Sequence, residues 1–264
     1  MKSNDIQAVI LDWAGTTLDY GCMAPLHVFQ KIFEEKGIQI TEKEAREPMG
    51  LGKFDHICAL LNMERIALAW QTLYGKKPDQ QDGQALYEKF VPALMENLSD
   101  YTTLLDGVLE VIEYLRANQI KIGSTTGYTR QMMDVVEPLA KQQGYQPDCI
   151  VTPDHLPAGR PAPFMCFQNA IALNVQSMKH IIKAGDTISD IKEGVNAGCW
   201  TVGILEGSSE LGLSPEALKT VSTHEFYRLC NETRKRYYEA GAHYVIQSIR
   251  DLPWVVATLN SRET

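Results

Sequence analysis

Five short runs of nearly continuous apolar residues punctuate the chain: AVILDW (8–13), IKIGST (120–125), DCIV (148–151), HIIKAGD (180–186) and WTVGIL (200–205). Strands that are apolar on successive positions are covered on both faces, as in a parallel sheet whose crossover helices lie above and below it. The intervening segments have helical periodicity. GVLEVIEYLRANQ precedes the second run, and TRQMMDVVEPLAKQQG and PFMCFQNAIAL follow the second and third. SDIKEGVNAG follows the fourth and ends on a glycine able to take the left-handed conformation that closes a helix. At the C-terminus, HYVIQS predicts an edge strand and IRDLPWVVATLN a final helix. The pattern predicts an α/β fold, a Rossmann-like parallel sheet.

One interval breaks the alternation. About eighty residues separate the first two runs, too many for a loop inside a compact domain. PLHVFQKIFEEKG has Pro25 near its start and Gly37 past its end, the asymmetry expected of a helix. TEKEAREPM opens with Thr41 and Glu44 at capping-box spacing. LGKFDHICALL, ERIALAWQTLYG and QALYEKFVPALMENL follow. The expected organisation is a Rossmann-like core from residues 1–19 and 101–264, with residues 20–100 forming an inserted, all-helical cap over the sheet's ligand edge.

The net charge of −8, with no cluster of Lys and Arg, disfavours nucleic acid or an anionic membrane as partner. No stretch approaches the roughly 18 apolar residues of a membrane span, and the first apolar run is too short for a secretory signal. The six cysteines include no C-x-x-C pair, which argues against a zinc site and a disulfide scaffold. A cytoplasmic protein is expected.

Ligands of open α/β sheets bind outside the carboxyl ends of the strands. The first strand is followed by Asp12 and then Gly15-Thr16-Thr17, the second by Ser124-Thr125-Thr126-Gly127. The loop TPDHLPAGRPAP after the third carries Arg160, and the fourth leads into Gly185-Asp186-Thr187-Ile188-Ser189-Asp190. Taken singly, these residues read equally well as caps, turn formers and a surface arginine. Jointly they put a polar group at four strand ends. Two carboxylates suit a hard divalent cation such as Mg²⁺, and a threonine hydroxyl with an arginine suits phosphoryl oxygens.

DWAGTT, Thr126, Arg160 and GDTISD, in this order and spacing, resemble the four motifs of the haloacid dehalogenase superfamily. The chain is more similar still to the phosphonatase family, through PMGLGKFDH, KIGSTTGYTR, PAGRPAPFMC and GSSELGL. The resemblance implies hydrolysis of the C–P bond of phosphonoacetaldehyde to acetaldehyde and phosphate, a step in 2-aminoethylphosphonate degradation. It implies Asp12 as nucleophile, giving an aspartyl-phosphate, and Mg²⁺ held by Asp12, the Ala14 carbonyl and Asp186, with Asp190 supporting from behind. Thr126 and Arg160 would bind the phosphoryl oxygens, helped by backbone near Gly127. Lys53 would form a Schiff base with the aldehyde. His56, three residues on and on the same helical face, would handle the imine-forming protons. Met49, Cys22 and Tyr128 match positions near the substrate, and the family suggests a homodimer.

Two other readings compete. Phosphomonoesterases of the same superfamily place an acid two residues after the nucleophile to protonate the leaving oxygen; here Ala14 stands in that position, and Lys53 would have no task. An inactive phospho-ligand-binding regulator would tolerate Ala14 but has no need of Asp12, Lys53, Thr126, Arg160 and Asp186 together.

Overall fold

The structure, a computed structural model, describes residues 5–261. Its centre is a six-stranded, all-parallel sheet in the order β3-β2-β1-β4-β5-β6, from β1 (Ala8–Leu11), β2 (Lys121–Thr125), β3 (Cys149–Val151), β4 (Ile181–Gly185), β5 (Trp200–Ile204) and β6 (Tyr244–Ile246). β1 runs centrally, with Leu11 beside Ser124 of β2 and Ala184 of β4. The strand order reverses between β1 and β4, so the residues just past these strands flank one crevice.

The period of two within β1 sorts its side chains onto opposite faces. Val9 and Leu11 join an apolar cluster on one face, while Ala8 and Ile10 pack with Cys166, Ala170 and Leu173 on the other. Helix α6 (Val108–Ala117) precedes β2, and α7 (Arg130–Gln142) and α8 (Phe164–Ala172) follow β2 and β3. α9 (Ile188–Ala197) leaves β4 and ends at Gly198 in the left-handed region, and α12 (Leu252–Asn260) closes the chain.

The interval after β1 is helical, as its sequence predicts: α1 (Met23–Glu34), α2 (Glu42–Arg46), α3 (Lys53–Asn62), α4 (Glu64–Tyr74) and α5 (Gln80–Asn97). The expected capping box forms at Thr41 and Glu44. α1, α3 and α5 pack together around buried aromatics, Phe29 stacking on Phe90 with ring centroids 4.4 Å apart. Their apolar cluster is continuous with one face of the sheet, which ties the insertion to the rest of the molecule through buried surface.

Two helices occupy a stretch that hydrophobic patterning leaves blank, α10 (Pro215–Thr220) and α11 (Thr223–Glu239). α11 buries only Cys230, Thr233 and Tyr237 over its length. A helix so polar gives little periodic signal.

Candidate active site

The turn after β1 is wound tightly around one carbonyl. The backbone N–H groups of Thr16, Thr17 and Leu18 all donate to the Trp13 oxygen, at 3.1, 2.8 and 3.1 Å. Asp12 is thereby left at the mouth of the sheet, 5% exposed. Gly15 has φ +88°, and a Cβ there would lie 2.2 Å from Asp186 Oδ2. Only glycine lets the turn after Asp12 approach the end of β4 so closely. Asp186 accepts from Thr16 Oγ1 at 2.9 Å and from the Ser209 N–H at 2.8 Å. Asp190 lies in the first turn of α9, where Thr187 caps the helix and bonds its carboxylate.

Behind these acids the buried charges pair directly with one another. Arg160 is 3% exposed. Its Nε donates to Glu193 at 3.0 Å, and its Nη2 donates to Asp12 Oδ1 at 2.6 Å and to Thr125 Oγ1 at 2.7 Å. Its Nη1 stands 2.9 Å from Asp190 Oδ1 as an ion pair. Lys183 Nζ contacts Asp190 at 2.5 Å and Glu193 at 3.7 Å. Asp12, Asp186, Asp190 and Glu193 outnumber the cations beside them, which are Arg160 and Lys183 in direct ion pairs and Lys53 near Asp12. Burial, and then the neighbouring acids, push Asp186 well above the usual carboxylate range. Burial also raises Asp12, against the opposing pull of Arg160. Asp190 would rise with burial too, but Arg160 and Lys183 hold it below its ordinary value.

Asp12, Asp186 and Asp190 each offer an oxygen, and these atoms lie within 4.8 Å of one another. Clustered oxygen donors and an excess of carboxylates over cations fit a hard divalent cation such as Mg²⁺.

The insertion brings the remaining groups. Gly50, φ +88°, rests on the start of α9, where an added Cβ would meet Thr187 Oγ1 at 2.3 Å. This turn delivers Lys53, the first residue of α3, into a cavity of about 20 Å³. Asp12, Ala14, Cys22, Met49, Gly50, Thr126, Gly127, Tyr128, Arg160 and Thr187 line it with Lys53. Lys53 Nζ stands 4.8 Å from the centroid of the Tyr128 ring. Burial lowers its amine below the ordinary lysine value, although nearby Cys22 and Asp12 oppose this. Cys22 and Tyr128 are buried and held protonated by desolvation. The Thr126 hydroxyl accepts the Tyr128 N–H at 3.0 Å.

His56 is placed differently, in the helical core of the insertion. Its ring stacks on Phe29 at 3.8 Å, and burial keeps it neutral. Its Nε2 lies 2.9 Å from the Ala45 carbonyl. A carbonyl can only accept, so Nε2 carries the proton and Nδ1 holds a free lone pair; Nδ1 is buried without a hydrogen-bond partner.

Several residues wired into this centre escape a reading of strand ends. Lys183 interrupts an otherwise apolar strand, and Glu193 follows Asp190 by three residues on the same helical face; both are detectable signals. Asp19 is a third. At φ +53° its carboxylate accepts the N–H groups of Met23 and Ala24, capping α1 at 2.9 and 3.1 Å. Burial pushes it up to about 7 from the usual 3.8. The folded value exceeds the unfolded one, so the ionised form costs stability as pH rises from about 4 to about 7, fully so above that. Asp19→Asn, suited to positive φ, is expected to stabilise the fold at pH 8 by on the order of 2–3 kcal/mol. The gain should vanish at pH 3, as thermal unfolding at the two pH values will read.

A family profile described as haloacid dehalogenase-like hydrolase matches residues 6–198. Phosphonoacetaldehyde hydrolase of Bacillus cytotoxicus is 54% identical, over 98% of each chain. That of Bacillus cereus is 52% identical, also over 98% of each. The crystal structure of a phosphonoacetaldehyde hydrolase-like protein from Oleispira antarctica superposes with a TM-score of 0.94 at 40% identity, covering 97% of this chain and 93% of the other. No helix among the described residues is long and apolar enough to cross a membrane. With its buried Asp12–Asp186–Asp190 cluster under a helical insertion, the chain belongs to the haloacid dehalogenase-like hydrolases, among the phosphonoacetaldehyde hydrolases.

Proposed function

We propose that this chain hydrolyses phosphonoacetaldehyde to acetaldehyde and phosphate, by way of a Lys53 Schiff base and an Asp12 aspartyl-phosphate. The observation that carries the reading is one cavity lined by a desolvated amine from the insertion and by a carboxylate, a threonine and an arginine from the sheet. A C–P bond does not break by simple displacement, because the carbon would leave as a bare carbanion. The neutral Lys53 amine condenses with the aldehyde, releasing water, and the resulting protonated imine accepts electrons from the adjacent carbon. Asp12 then attacks phosphorus. The C–P pair moves into the imine and the carbon departs as an enamine. Protonation at carbon regenerates the imine, whose hydrolysis frees acetaldehyde and Lys53. Water cleaves the aspartyl-phosphate.

Thr126 and Arg160 orient the phosphoryl oxygens, and backbone at Gly127 assists. Asp12, the Ala14 carbonyl and Asp186 would hold Mg²⁺, with Asp190 behind them, and the ion would offset the repulsion between carboxylate and phosphonate. We assign the imine-forming protons to His56, one turn from Lys53, whose Nδ1 is left unprotonated by the Nε2 bond to Ala45; because it stands outside the cavity lining, the transfer runs through a relay. Met49, Cys22 and Tyr128 enclose the two-carbon unit. Ala14 fits the scheme: an enamine leaving group has no oxygen beside Asp12 to be protonated. We place the enzyme in the cytoplasm, as a homodimer.

A phosphate-release assay comparing phosphonoacetaldehyde with a panel of phosphate esters tests the reading. Turnover of phosphonoacetaldehyde should exceed every ester by at least about 10³-fold, the scale of a missing or supplied acid–base group. Faster turnover of an ester would make the chain a phosphomonoesterase. No turnover of any substrate by Mg²⁺-loaded protein would favour a binding protein.

A further inference from the structure

Residues 207–213, GSSELGL, form a loop that touches three parts of the molecule at once. Its Gly207 carbonyl accepts the N–H of Gly21, in the segment leading into the insertion, at 2.7 Å. The Ser209 N–H donates to Asp186 Oδ2 at 2.8 Å. The loop is braced by its own Ser208, whose Oγ accepts the Leu211 N–H at 3.0 Å, and Ser208 and Ser209 are each 1% exposed. The third contact comes from the insertion. Arg46, the last residue of α2, donates from Nη1 to the Gly21 carbonyl at 2.6 Å and reaches Ser209 Oγ at 3.5 Å. Its Nη2 lies 3.4 Å from Met23 Sδ. The side chain is only 10% exposed, and three residues later the chain enters the Met49-Gly50 turn that lines the cavity.

We propose that Arg46 is a positioning residue that couples seating of the insertion to the orientation of Asp186. The guanidinium pins the entry segment and the 207–213 loop to α2, and that loop fixes Asp186 through the Ser209 N–H. The turn presenting Lys53 and the carboxylate opposite Asp12 are therefore set by one side chain that touches neither. Groups that orient a metal-ligating carboxylate govern its affinity for the ion, and a hydrogen bond from a charged donor in a dry setting is among the stronger single contacts. The link to Asp186 as a metal ligand rests on the function proposed above; the pinning of the loop does not.

The test uses the full Mg²⁺-loaded chain with Arg46→Ala and Arg46→Lys. Hydrogen exchange read by mass spectrometry should quicken about tenfold in Arg46→Ala in peptides spanning 19–23 and 207–213, with β1 and β4 unaltered. Calorimetric Mg²⁺ titration should show affinity weakened by about tenfold, and kcat/KM for phosphonoacetaldehyde should fall by a similar factor. Arg46→Lys, which keeps the charge but not the fork, should recover part of each effect; it carries the comparison if the alanine variant does not fold. Unchanged exchange at 207–213 would overturn the pinning. Unchanged Mg²⁺ affinity alongside reduced kcat/KM would overturn the coupling to Asp186. Failure of the wild type to release phosphate would instead strike the proposed reaction, leaving the exchange arm to decide the role of Arg46.

Discussion

Asp12→Asn is expected to abolish phosphate release, lowering kcat by at least about 10⁴-fold, the range seen when a nucleophile is removed. Three losses coincide. The amide is a poor nucleophile toward phosphorus, whereas the carboxylate needs no deprotonation to attack. Arg160 Nη2, now 2.6 Å from Asp12 Oδ1, loses its charged partner. The acidic cluster also falls from four charges to three, reducing its demand for a divalent ion. A malachite-green assay on folded variant, checked by circular dichroism, reads the outcome. Retention of more than about a hundredth of wild-type kcat would refute Asp12 as nucleophile.

The second large effect belongs to Lys53. Borohydride added with phosphonoacetaldehyde should attach a reduced substrate-derived adduct to this residue, located by peptide mass spectrometry. Lys53→Arg should form no adduct and lose at least about 10⁴-fold in kcat, because a guanidinium keeps the charge but cannot form the imine. The pH dependence follows from burial. Imine formation requires the neutral amine, whose share rises with pH through the lysine pKa. Desolvation moves that pKa below 10.5, so the adduct-formation rate should climb to its plateau at a lower pH than a solvated lysine allows. A midpoint at or above 10.5 would contradict the desolvated amine, and an adduct elsewhere would sink the assignment.

Strand ends proved legible because they are written locally. An apolar run followed by Asp12, by Thr126 or by Asp186 marks both a strand and its exit, and the sheet assembles those exits side by side. Lys53 was legible only through family resemblance, since the turn that delivers it works by close backbone packing at Gly50 rather than by side-chain pattern. The charge network was not legible. Arg160 meets Asp12, Asp190 and Glu193 across elements separated in sequence, and nothing in a linear pattern states which buried charges pair. Asp19 lay hidden for a related reason: its elevated pKa comes from burial, which no linear pattern states. The polar face of α11 conceals a helix whose main buried contribution is Tyr237, bonded to the Asp186 carbonyl.

A space of about 20 Å³ between Lys53 and Asp12 holds little more than a single water. An aldehyde bearing a phosphonate is several times larger. On the reaction proposed above, such an aldehyde fits only if the insertion shifts away from the sheet, so small-angle scattering profiles are expected to differ with and without a substrate analogue, and identical profiles would count against that motion.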